Sequence, residues 1–130
     1  MTHDEARRYL LAKPETRLDY PFGKEVQVFK VKDKMFATLS KGTGNEKGTG
    51  RKLAGYHCIN LKCEPDEALM LRDIFPSIVP GYHMNKRLWN TVILDGSIPR
   101  GEIERMIDNS FMLVVSKMTK KAQQSILIHL

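Results

Sequence analysis

Between Pro99 and Met118 the chain carries one sustained apolar stripe: Ile103, Met106, Ile107, Phe111, Val114, Val115 and Met118. Their i, i+3, i+4, i+7 spacing is that of a helix burying one side along its whole length. Such a helix needs a broad apolar surface to lie on, and the sequence offers strands for it. Val26–Val31 and Lys34–Leu39 are rich in apolar, aromatic and β-branched residues, and the Lys32-Asp33 pair between them predicts a tight hairpin. Tyr56–Lys62 predicts a third strand, and Leu88–Leu94, closed by Asp95-Gly96, a fourth. Runs of strands flanked by helices, without regular βαβ alternation, predict an α+β fold: a mainly antiparallel sheet with helices packed on it.

Shorter elements complete the pattern. Thr2–Ala12 predicts a first helix, with Thr2 as N-cap, Glu5 as its capping-box partner, and Ala6, Tyr9 and Leu10 as the apolar stripe; Pro14 stops it. Tyr20-Pro21-Phe22-Gly23 reads as a turn into the strands. Pro65-Asp66-Glu67 opens a further helix with proline in its first turn and carboxylates at its positive end, and Phe75-Pro76 ends it. Lys41–Gly55 holds five of the nine glycines and predicts a long, flexible hairpin loop. At 130 residues, with no internal repeat, the chain predicts one domain over residues 1–130. No apolar run approaches the roughly 20 residues of a membrane span, and residues 1–8 lack a signal-peptide pattern, which points to the cytoplasm.

The net charge of +6 is localised. Lys24 to Lys62 hold nine cations against Glu25, Asp33 and Glu46, whereas the remainder of the chain holds twelve of each sign. The whole excess falls in one contiguous third, as an anion-attracting surface requires; exposed strands also carry lysine to discourage edge pairing. Gly42-Thr-Gly-Asn-Glu-Lys-Gly-Thr-Gly50 could wrap a phosphate with backbone N–H groups, Lys47, Arg51 and Lys52 adding charge, although no Gly-Lys-Ser/Thr makes it a Walker element.

The densest polar and aromatic stretch is Pro80–Val92, with Tyr82, His83, Asn85, Lys86, Arg87, Trp89 and Asn90. Aromatics there could stack on bases, His and Asn could hydrogen-bond, and Lys86 with Arg87 could hold phosphates; the same residues could equally form a structural corner. In an extended segment Leu88, Asn90 and Val92 share one face and Trp89, Thr91 and Ile93 the other.

Little points to catalysis or metal. Cys58 and Cys63 lie at an odd separation without metal-binding spacing, which predicts reduced, structural thiols. His3, His57, His83 and His129 are scattered, and no nucleophile motif occurs. No metal and no cofactor are expected.

On Tyr20-Pro-Phe-Gly23, Val28-Phe-Lys-Val31, Lys34-Met-Phe-Ala37, Ile59-Asn-Leu-Lys-Cys63, Pro80-Gly-Tyr-His-Met-Asn-Lys86, Trp89-Asn-Thr-Val92, Leu94-Asp-Gly96 and the Ile107–Val115 helix, the chain resembles the MmcQ/YjbR family across nearly its whole length. The resemblance implies a CyaY-like fold, with helices on one face of an antiparallel sheet, and a DNA-binding role through a double-wing motif. The Gly42–Gly50 stretch is longer and richer in glycine than a compact member would carry. A CyaY-like fold raises frataxin-type iron binding by analogy, but Asp4 and Glu5 stand beside Arg7 and Arg8 and form no acidic ridge.

The leading expectation is therefore a non-enzymatic module that binds DNA, with Lys30, Lys32, Lys34, Lys41, Lys47, Arg51, Lys52, Lys86 and Arg87 on phosphates. The alternative is a small-molecule or peptide pocket built from Tyr82, His83, Asn85, Lys86, Trp89 and Asn90. A third is an enzyme using His83, the one group in that cluster that titrates near neutral pH.

Overall fold

A computed structural model describes residues 1–82 and 84–130. In chain order the elements are α1 (His3–Leu11), β1 (Thr16–Asp19), β2 (Val26–Val31), β3 (Lys34–Lys41), β4 (His57–Lys62), α2 (Pro65–Ile74), β5 (Ile78–Pro80), β6 (Trp89–Ile93), α3 (Arg100–Val115) and α4 (Lys120–Leu127). The strands form one sheet in the order β1-β2-β3-β4-β6-β5, antiparallel at every pairing. This is the α+β fold expected from the sequence.

Local chemistry explains the main elements. Thr2 caps α1 through a reciprocal capping box, its hydroxyl accepting from Glu5 N while Glu5 accepts from Thr2 N. Lys32 and Asp33 both take positive φ, +45° and +64°, the left-handed pair that lets a two-residue turn follow the twist of its strands. Two strands lie outside the sequence expectation. Thr16–Asp19 alternates half-buried and exposed residues on a charged edge, and Ile78–Pro80 is a three-residue edge strand ending in proline. An edge tolerates that proline because no neighbour needs its missing N–H. A short fourth helix, α4, also follows the expected one, capped by Thr119 and anchored by buried Ile126.

The core lies between the helices and one face of the sheet. Phe29, Val31, Ala37, Leu39, Ile59, Leu61 and Val92 from the strands meet Leu10, Leu71, Ile107, Phe111 and Ile126 from all four helices. A bulge in β3 sharpens this packing. Phe29 pairs with Ala37 and Lys30 with Met35, so Phe36 is the extra residue and turns inward beside Ala37. Its ring meets Phe111 edge-on, with centroids 5.2 Å apart. Buried Ser110 of α3 serves the irregular backbone, donating to Phe36 O at 2.6 Å and accepting from Lys62 N at 2.8 Å.

Strand alternation places Val28, Thr38, Asn60, Thr91 and Val79 on the other face in one paired row, with Ser40, Cys58 and Ile93 in the next. The loop between β3 and β4 drops Leu53 onto this face, against Cys58, Val79, Ile93 and Tyr82.

Candidate nucleic-acid interface

The glycine-rich loop is folded on itself and does not extend as a hairpin tip. Gly42 bridges to Ala54 so closely that an added Cβ would stand 2.0 Å from Leu53 O, so only glycine fits. Glu46 occupies the loop's interior: its carboxylate accepts from Thr43 N, Thr43 Oγ1 and Gly44 N at 2.9–3.0 Å, and its carbonyl accepts from Thr49 Oγ1 at 2.7 Å. Burial pushes this carboxyl upward, but the Thr43 and Gly44 donors outweigh it and hold its pKa below the usual value. The N–H groups of Thr43 and Gly44 are therefore already given to an internal anion and do not form a phosphate cradle. Lys47, Arg51 and Lys52 remain exposed on the outside of the loop.

The expected cations do not share one face. Lys30 lies on the face away from the helices, in register with Arg17 on β1, and Lys62 lies on that same face opposite Trp89. Lys41 pairs with His57, whose ring packs against His3 of α1, so Lys41 points to the helix side. Lys34 stands at the start of β3, and Lys32 sits in the hairpin turn. The cations thus gather at both ends of the sheet, with Lys30, Lys32, Lys34 and Lys62 at one and Lys41, Lys47, Arg51 and Lys52 at the other. Among the nine expected phosphate-binding cations, Lys30 pairs with Asp19 and Lys32 with Glu15, each at 3.0 Å; the other seven form no ion pair among the described residues. Lys86 donates to Gly81 O at 3.2 Å, and Arg87 N donates to Asn85 Oδ1 at 3.0 Å.

The residues of the expected pocket separate. Tyr82 lies over the sheet with its hydroxyl 3.3 Å from Ser40 Oγ, half-buried against Leu53, and burial raises its pKa. Trp89 shares that face, whereas Asn90 points the opposite way and is buried under α2. There Asn90 accepts from Arg72 Nε at 2.7 Å and donates to Ala68 O at 3.4 Å. Asn85 holds a turn, its carbonyl accepting from Leu88 N and Trp89 N. His83 lies outside the described residues.

Several roles were invisible in the sequence. Arg72 donates to Lys86 O as well as to Asn90, tying the segment before β6 to α2, and burial lowers its pKa. Asn60 donates to Thr38 Oγ1 at 2.9 Å and accepts from Thr91 Oγ1, a buried polar row across three central strands. Only the alternation of Thr38, Asn60 and Thr91 could have suggested it. The histidines prove less scattered than their numbers suggest. His3 and His57 rings stand 4.5 Å apart, and burial, followed by the neighbouring His3 and Lys41, lowers the His57 pKa. Among the described residues no three His, Cys, Asp or Glu side chains are grouped to hold a metal ion, and no helix is long and apolar enough to cross a membrane.

The YjbR family model matches residues 11–113. The uncharacterised protein YbdF of Escherichia coli O157:H7 is 36% identical over 124 residues, covering 95% of this chain and 93% of the relative. The uncharacterised protein YjbR of Escherichia coli K12 is 28% identical over 124 residues, with 95% and 96% covered. Among solved structures, the crystal structure of Deinococcus radiodurans DR2400, described as domain DUF419, superposes with a TM-score of 0.79 at 31% identity, covering 96% of this chain and 87% of that one. A Pseudomonas syringae protein superposes with a TM-score of 0.75 at 35% identity, covering 87% and 98%.

Proposed function

The chain belongs to the YjbR family, and we propose that it binds nucleic acid through phosphate contacts from cations on its strands and connections. The observation that carries this reading is the segregation of charge. The four helices hold seven cations and eight anions, whereas the strands and connections hold fourteen cations and seven anions. Positive charge thus concentrates where the helices are not, and among the described residues most of the cations there form no ion pair with a carboxylate, Lys13, Lys30 and Lys32 being the ones that do. A polyanion is the partner such a surface attracts, with binding driven by counterion release. Lysine outnumbers arginine at these positions, which favours phosphate contact over base reading, since forked guanidinium groups are the usual readers of guanine.

The test is fluorescence anisotropy with labelled duplex and single-stranded DNA across a salt series. Lys47→Glu with Lys52→Glu should weaken binding to every sequence alike and flatten the log–log salt slope by roughly one unit for each phosphate no longer neutralised. A folded, monodisperse wild-type protein that binds neither form of DNA at low salt would end this reading.

A further inference from the structure

We propose that the sheet end formed by the β1–β2 turn and the start of β4 is a stacking platform that selects single-stranded over duplex nucleic acid. This rests on the phosphate-binding reading and names the form of nucleic acid that surface takes.

Three aromatic side chains are exposed among the described residues: Tyr20 at 44%, Phe22 at 66% and Tyr56 at 45%. All three fall at one end of the sheet. Tyr20 and Phe22 lie in the turn joining β1 to β2, closed by Gly23 N donating to Tyr20 O and Val26 N to Gly23 O. Tyr56 directly precedes β4, and its backbone is held from both sides, its N–H donating to Leu53 O at 3.0 Å and its carbonyl accepting from Gly42 N at 2.7 Å. The registers Val26 to Ser40 and Lys41 to His57 bring these segments to the same edge, with β3 between them. Strands lie roughly 4.8 Å apart, so the turn and Tyr56 flank a gap of about two strand spacings, on the order of 10 Å.

Cations share that edge: Lys24 is exposed in the turn, Lys41 is exposed at the end of β3, and Lys52 is exposed on the loop leading to Tyr56. Two exposed carboxylates flank them, Glu25 in the turn and Asp19 at the end of β1, the latter paired with Lys30. Exposed apolar rings are costly in water, and here they sit beside exposed cations on backbone fixed by hydrogen bonds. In a duplex the bases are already stacked on each other, so such rings gain little from it; a single strand presents each base face to them. Aromatic rings interleaved with cations fit an unpaired strand, whose bases stack while its phosphates meet the lysines.

The experiment titrates the full chain with three labelled probes of about fifteen nucleotides: oligothymidylate, a duplex, and an abasic strand with the same phosphates and no bases. Oligothymidylate should bind roughly tenfold tighter than the abasic strand and tighter than the duplex, and Phe22→Ala with Tyr56→Ala should erase that advantage with the salt slope unchanged. Tyr56→Phe, which keeps the ring, should retain it. Both truncated positions are exposed, so an unchanged melting curve establishes that the fold survives. Equal affinity for all three probes, unaffected by the double variant, overturns the stacking platform while leaving phosphate binding intact. No binding to any probe overturns both.

Discussion

The two faces of the sheet solve the problem of burial in opposite ways. Towards the helices, every strand between the edges contributes apolar side chains to one continuous core, closed by Phe36 and Phe111. On the other side the central row is Thr38, Asn60 and Thr91, equally buried but polar, flanked by a small apolar cluster of Leu53, Cys58, Val79, Ile93 and the ring of Tyr82. The first face derives its stability from area removed from water. The second spends its donors and acceptors on itself, and polar pairs of that kind fix register more than they add net stability. The proposed contacts with anions follow neither face, because their cations gather at the two ends of the sheet, Lys30 on the polar side and Lys41 on the helix side.

The comparison can be broken first where the expected effect is largest. Phe111→Ala should cost about 3–5 kcal/mol in urea or thermal unfolding, as truncation of a fully buried aromatic does. Phe111 is 1% exposed and carries the edge contact to Phe36. A loss below about 1 kcal/mol would mean that the helix stripe does not close the core.

Asn60→Ala comes next, at about 1–3 kcal/mol, because it leaves the buried hydroxyls of Thr38 and Thr91 without their shared partner. A triple variant, Thr38→Val, Asn60→Leu and Thr91→Val, removes the polar groups together and should recover most of that loss. If the triple variant is no better than Asn60→Ala, the row is contributing stability in its own right, and the contrast between the faces weakens.

Much of this arrangement was legible in the residues. The α3 stripe, the Lys32-Asp33 turn, the Thr2 and Glu5 capping box and four of the six strands follow from periodicity and local hydrogen bonding. β1, β5 and α4 were not legible, because a charged edge, a three-residue strand and a short polar helix carry too few apolar residues to set a period. The cations were readable by type and by segment, but their sides were not. That Lys41 and Lys62 face opposite ways depends on strand parity counted from the core, which the sequence alone does not anchor. Glu46 shows the same limit: within its segment it looks like one of three anions opposing the lysines, and only the folded loop reveals that it occupies the backbone donors a phosphate would need.

The smallest expected effect compares the faces through their thiols. Cys58 lies in the apolar cluster on the polar face and Cys63 packs against the main core; burial pushes the first up to about 12 and the second to about 11. An unfolded thiol titrates near 8.5, so the folded state holds each proton more tightly. This contribution to stability is fully present below about pH 8.5 and is lost as pH rises above it towards the folded values. Between roughly pH 9 and 10 each thiol should add up to about 1.4 kcal/mol of destabilisation per pH unit. Denaturant unfolding at several pH values should show Cys58→Ala and Cys63→Ala each removing part of that slope. Cys58 is buried and Cys63 only partly so, so iodoacetamide should label Cys63 faster. Faster labelling of Cys58 would show that the cluster of Leu53 and Tyr82 opens more readily than the helix side, and that the polar face is sealed only part of the time.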